Sequence, residues 1–195
     1  MSQDFMQTSL FDLQPSDNDT ETENYPSWLY PSNWKTPRWK TAIKRQQLSL
    51  PLRNALNSSF LPSKGSWLDF GCGHNLDMPR LSERTSGRYE VHSFDSYYLP
   101  QFQKLNRSYS IVSLVYVLNV IEEPVERCKL LQFSWDLCTE AMVVAVRVDG
   151  SGQDITRIGT FQKYYDRDEF WDLLIAYCPG AKLFGIGAGH AIACK

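Results

Sequence analysis

A chain of 195 residues, 43% hydrophobic and 13% aromatic, is long enough for one well-formed core and too short for two ordinary domains. No apolar run approaches the about eighteen residues of a membrane span, and the start lacks the basic and apolar regions of a secretory signal. The five cysteines form no CxxC pair and the three histidines are scattered, so no metal-ligand spacing is present, and reduced thiols in a cytoplasmic protein are the expected state.

The formal net charge of −2 conceals a reversal of sign along the chain. Residues 1–24 carry six acids and no base among small polar residues, and are expected to form a disordered acidic tail. Residues 25–64 form a basic, aromatic extension ahead of a domain spanning 65–195. In it Tyr25–Trp39 is interrupted by Pro26, Pro31 and Pro37, which block regular helix and predict a segment lying extended over the surface. Helices are expected at Thr41–Gln47 and at Pro51–Asn57, where Pro51 suits a first turn.

Ser66–Phe70 reads as a short apolar strand running into Gly71-Cys72-Gly73, followed by a helix near Asp77–Thr85 that Gly87 closes. Strands are expected at Tyr89–Phe94, Ser110–Tyr116 and Ala141–Val148, the last two apolar enough for burial on both faces. Between the latter two, Pro124–Leu137 has a proline at its start, acids near its N-terminus and apolar residues along one side, which predicts a helix. Asp166 is placed to cap a helix at Arg167–Tyr177, with Glu169 completing a capping box. The closing AKLFGIGAGHAIACK predicts an antiparallel hairpin around a glycine turn.

Alternating strands and helices predict an α/β fold with a mostly parallel sheet, Rossmann-like, on the plan of class I methyltransferases. That plan usually places a helix, a strand and a second helix between its second and fourth strands. Only about fourteen residues separate Asp95 from Ser110, and a parallel crossover needs roughly a dozen. The third, edge strand is therefore expected to be missing, leaving about six strands.

LDFGCGHN at Leu68–Asn75 is the central motif. A glycine turn after a strand brings the backbone close to a ligand at the start of the next helix. Asp69 precedes the turn and Asp95 ends the next strand, at the spacing of a ribose-binding acid. On the methyltransferase plan Asp69, Gly71, Cys72 and Gly73 hold the methionine part of S-adenosylmethionine, Asp95 takes the ribose hydroxyls, and Ser96 and Tyr97 border the adenine. Asn119 and Tyr98 are the candidates beside the methyl group. Asn119, in VYVLNVIEEP at the carboxyl end of a strand, either faces ligand or is a buried turn-maker bonded to backbone. It lacks the Pro-Pro-aromatic of base amino-methylation. Asn75 stands where a third glycine is common, and tolerates the left-handed conformation.

Taken together, LDFGCGHNLD, FDSYYLP, VYVLNVIEEPVER, VAVRVDG and GTFQKYYDRDEF resemble methyltransferases associated with DNA phosphorothioation systems. The resemblance covers about Thr41 to Leu174 and implies S-adenosylmethionine as cofactor, a bacterial host and a link to DNA modification or defence. Lys35, Arg38, Lys40, Lys44 and Arg45, interleaved with Trp28, Tyr30, Trp34 and Trp39, suit nucleic-acid contact. The other reading of this stretch is a structural wrap with solvated charges. GTFQKYYD either covers the active site or packs its tyrosines down. Two further functional readings stay open: a non-catalytic S-adenosylmethionine-binding or regulatory module, and a nucleotide-dependent oxidoreductase, which the absent third glycine disfavours.

Overall fold

The computed structural model describes residues 25–195, so the expectation for residues 1–24 lies outside the described residues. Six strands form one sheet in the order β2-β1-β3-β4-β8-β7. They are β1 (Gly65–Phe70), β2 (Tyr89–Phe94), β3 (Tyr109–Val115), β4 (Cys138–Ala145), β7 (Lys182–Gly187) and β8 (His190–Cys194). β1 to β4 are parallel, while β8 runs antiparallel to both β4 and β7. The expected terminal hairpin is therefore present, inserted with β8 next to β4. β2 is an edge, as the short span after Asp95 requires: the link to β3 crosses β1 with a single 3-10 turn at Phe102–Asn106.

Alternation along the strands sends side chains to two apolar layers. Trp67, Ile111, Val143 and Ile192 pack with Leu52 of α1 (Leu50–Asn57) and Met78 and Leu81 of α2 (Asp77–Arg84). Leu68, Phe70, Val112, Leu114 and Val144 face the other way. They pack with Leu131 and Trp135 of α3 (Pro124–Leu137) and Phe170 and Leu174 of α4 (Arg167–Tyr177). Asp166 caps α4 by accepting from the Glu169 amide at 2.8 Å. The return arm of the expected box is replaced by an ion pair, because Glu169 reaches Lys163 at 2.7 Å.

Three boundaries depart from expectation. Thr41–Gln47 is not a helix: a 3-10 turn at Arg38–Thr41 ends there and the chain runs irregularly to α1, with Ala42 packed on Gly73. β3 stops at Val115 because Tyr116 turns to a φ of 62°. The strand expected at Ala141–Val148 is shifted to Cys138–Ala145, with a two-stranded ribbon following it, β5 (Gln153–Ile155) and β6 (Phe161–Lys163). Among the described residues no helix is long and apolar enough to cross a membrane.

The N-terminal extension is a wrap, built from 3-10 turns at Ser27–Leu29, Pro31–Asn33 and Arg38–Thr41 instead of a wholly extended segment. Leu29 is buried, Trp28 packs edge-on against Phe133 of α3, and Trp39 stacks on Tyr97 at 4.7 Å. Its fastening is ionic. Arg38 is buried, donates from Nε to Glu122 at 2.8 Å and grips Glu126 with both terminal nitrogens, while Lys35 pairs with Glu123. Burial is the largest single influence on the Glu122 carboxyl and raises it, but the hydrogen bond and charge of Arg38 together with backbone hydrogen bonds outweigh it, and the net shift is downward. This corrects the expected basic strip: Lys35 and Arg38 are neutralised by α3 and the residues just before it, while Lys40 and Lys44 are exposed and Arg45 is half-buried.

Candidate active site

A cavity of about 790 Å³ opens at the carboxyl ends of the parallel strands, roofed by the N-terminal extension. Open α/β sheets bind ligands at this end, where the chain turns out of each strand. The glycine turn is its floor on the β1 side. Gly71 and Gly73 adopt φ of 77° and 54°, and Asn75, at the third-glycine position, is also left-handed at 55°. Gly73 has a second constraint, because a Cβ there would stand 3.0 Å from that of Ala42 in the roof.

The amides of the turn are already engaged. Gly71 and Cys72 donate to the Phe94 carbonyl at 2.8 and 3.1 Å, and Gly73 donates to Asp95 Oδ2 at 2.9 Å. Asp95 Oδ1 accepts from the amides of Tyr97 and Tyr98, each at 2.9 Å. Asp95 thus locks the turn to the end of β2 while facing the cavity. Asp69 stands behind the turn, buried, and accepts from Ser113 Oγ at 2.8 Å. Burial pushes its carboxyl up to about 7, with the charges of Asp77 and Asp95 adding to the rise. Asp77 opens α2 and accepts from the Ser49 amide at 2.9 Å. Asp95 is therefore the acid that faces the cavity at the turn, and Asp69 and Asp77 lie buried behind it.

Gly71, Cys72, Gly73, Asp95, Ser96, Tyr98 and Asn119 all line this one cavity, so the sequence motifs do converge. Two of them differ in detail from the expected roles. Asn119 is buried, its Oδ1 accepting from the Arg147 amide at 3.0 Å and its Nδ2 donating to the Lys163 carbonyl, so it ties the segment after β4 to β6. Tyr98 donates its hydroxyl to the Trp39 carbonyl at 2.9 Å and so holds the roof. Tyr97 is half-exposed and stacks under Trp39. In the GTFQKYYD loop Gln162 lines the cavity, while Tyr165 is buried and Tyr164 carries the Arg147 guanidinium on its ring face.

The far wall was not anticipated. Tyr116, His190, Arg45, Arg147 and Asp149 line it, with the Tyr116 hydroxyl 3.0 Å from His190 Nε2. Tyr116 follows the last residue of β3, the carboxyl-end position where ligand-contacting residues gather, and that position was the available signal. His190 carries none, since only the insertion of β8 beside β4 brings it there.

No protein-family model matches the chain, and no curated protein matches it by sequence. Solved structures do. The 1,6-didemethyltoxoflavin-N1-methyltransferase of Burkholderia thailandensis, solved with 1,6-didemethyltoxoflavin and S-adenosylhomocysteine, superposes with a TM-score of 0.54 at 14% identity, over 75% of this chain and 78% of that one. The sugar N-methyltransferase KedS8 from Streptoalloteichus gives 0.52 at 11% identity, over 73% and 84%. An S-adenosylmethionine-dependent methyltransferase from Methanosarcina mazei gives 0.51 at 11% identity, over 76% and 96%. The fold is that of the class I methyltransferases. At these identities the likeness is one of fold, and the chemistry has to be argued from the cavity.

Proposed function

We propose that the protein is an S-adenosylmethionine-dependent methyltransferase. The observation that carries the reading is the glycine turn: its Gly71, Cys72 and Gly73 amides are already hydrogen-bonded, and the acid that faces the cavity beside it is Asp95. A dinucleotide pyrophosphate requires free amides and a positive helix end, and here it meets occupied amides and the Asp95 carboxylate. S-adenosylmethionine brings an ammonium and a sulfonium, which that carboxylate attracts. The chain's residues fit it: Gly71, Cys72 and Gly73 beside the methionine moiety, Asp95 toward the ribose hydroxyls, Ser96 and Tyr97 at the adenine. Asn119 and Tyr98 shape the methyl-transfer end by holding β6 and the roof in place. Bound there, the cofactor supplies an electrophilic methyl group, and the protein's task is orientation and exclusion of water.

Calorimetric titration of S-adenosylmethionine, S-adenosylhomocysteine and NAD into the full chain tests this. Binding of the first two without NAD is the expected result, and NAD binding alone overturns it. A non-catalytic binding module is the second reading, favoured by the structural engagement of Asn119 and Tyr98. A role in DNA modification or defence, in a bacterial cytoplasm, rests on the sequence resemblance.

A further inference from the structure

The wall opposite the glycine turn is built around a tyrosine in a costly backbone conformation. A bulky residue with positive φ persists only where its surroundings over-determine it. Tyr116, at 62°, is held by its amide on the Ala145 carbonyl at 2.9 Å and by its hydroxyl beside His190. The proton on that contact can be placed. Asn54 Nδ2 donates to the Ile186 carbonyl at 2.9 Å, which fixes the amide, and the same nitrogen stands 3.5 Å from His190 Nδ1. Nδ1 therefore faces an N–H and carries the lone pair, so Nε2 holds the proton and Tyr116 Oη accepts it. The hydrogen of the Tyr116 hydroxyl is left for the cavity.

Beside it stands Arg45, half-buried, its guanidinium 5.7 Å from the Tyr116 ring centroid. Among the described residues Arg45 forms no ion pair, whereas Arg147 is paired with Asp149 and Arg38 with Glu122 and Glu126. The cavity thus presents, on the same wall, a guanidinium whose nearby acid is the buried Asp69 behind the turn and not a contact partner, and one free hydroxyl donor. It presents no free base there, because Asp149 and Glu126 are ion-paired and both nitrogens of His190 are engaged. Toward the mouth, Ile43 and Leu50 line the cavity with 62% and 50% of their surface exposed, an apolar patch that a ligand would cover.

We infer that the methyl acceptor is a carboxylic acid, bound as its carboxylate on Arg45 and the Tyr116 hydroxyl, with an apolar body against Ile43, Leu50 and Trp39. This rests on the methyltransferase reading above. A carboxylate oxygen bonds to the methyl carbon as the methyl–sulfur bond breaks, the electron pair stays on sulfur, and no proton moves, so the product is a methyl ester. An acceptor that arrives ionised needs no base, which is what the wall lacks, and the step joins a carboxylate to a sulfonium methyl with loss of both charges.

The test uses 2-naphthoate and its uncharged analogue 2-naphthamide, titrated into the full chain with and without saturating S-adenosylhomocysteine. Naphthoate is expected to bind at least about tenfold more tightly than the amide. Tyr116→Phe and Arg45→Gln, each checked for an unchanged melting profile, are expected to weaken naphthoate about tenfold while S-adenosylhomocysteine affinity stays within about twofold. Equal binding of acid and amide, or naphthoate affinity retained in both variants, overturns the proposal. A tenfold loss of S-adenosylhomocysteine affinity in Arg45→Gln also overturns it, by assigning that cation to the cofactor's own carboxylate. Wild-type protein that fails to bind S-adenosylhomocysteine overturns the cofactor reading and the acceptor role with it. Naphthoate binding measured alone tells that failure from a failure of the anion seat.

Discussion

Burial holds the Asp69 carboxyl at about 7 against an ordinary value of 3.8, so the folded chain binds this proton more tightly than the unfolded chain does. Its contribution to stability is complete below the ordinary value and is lost as pH rises toward 7. Asp69→Asn keeps an acceptor for Ser113 and removes the titration. Between pH 5 and pH 8 the wild type should lose roughly 2–3 kcal/mol relative to this variant in urea unfolding. Parallel stability profiles would contradict that account. Asn119→Ala should cost about 2–3 kcal/mol, since a buried backbone amide and a carbonyl lose their partners. A purely catalytic Asn119 would instead leave the unfolding curve where it was. The glycine turn and the place of Asp95 beside it were legible in the sequence because their meaning lies in local spacing. Asp69, expected beside the methionine moiety, is instead buried behind the turn on Ser113. Nor was the engagement of Asn119 legible, for its partners at Arg147 and Lys163 are 28 and 44 residues away.

Elements whose signals sit at their own ends matched expectation. α3 starts with Pro124 and α4 starts after its Asp166 cap, and both run over the predicted residues. Elements defined by what they touch did not. The stretch after Thr41 has enough helix-forming residues, yet it is pulled into an irregular roof over Gly73 and anchored by a 3-10 turn. β5 shows no buried residue, so no alternation marks it, and it exists only as the partner of β6. The roof depends on one cation. With the side chains of Glu122 and Glu126 only 10% and 12% exposed, Arg38→Ala leaves two shielded carboxylates uncompensated. A loss of about 3 kcal/mol is expected, together with faster proteolysis after Lys40 and Lys44. If melting temperature and cleavage rate stay at wild-type values, the clasp does not secure the roof.

At the scale of the molecule, the topology followed from counting: about fourteen residues after Asp95 leave no room for another parallel crossover, and the sheet has six strands. Charge distribution was harder to read, because the sequence lists the basic residues of the extension without their partners on and before α3. Pairing of Lys35 and Arg38 leaves Lys40, Lys44 and Arg45 as the members of the expected strip without an ion pair among the described residues. Any DNA binding through them should therefore show a salt slope no steeper than about −3, measured by titration at two or more salt concentrations. A much steeper slope would place additional cations on the phosphate backbone.

The bond from Asn54 to Ile186 spans 132 positions, and the cavity it helps close takes its roof from the first part of the described chain and one residue of its far wall, His190, from the last. During synthesis, then, the glycine turn emerges long before His190, and no ribosome-bound fragment lacking β8 carries a finished far wall. Closing such distant contacts is slow relative to local helix formation. A nascent chain halted at α4 holds the glycine turn, Arg45 and Tyr116 but not His190, so the Tyr116 hydroxyl lacks the ring that stands 3.0 Å from it in the folded chain.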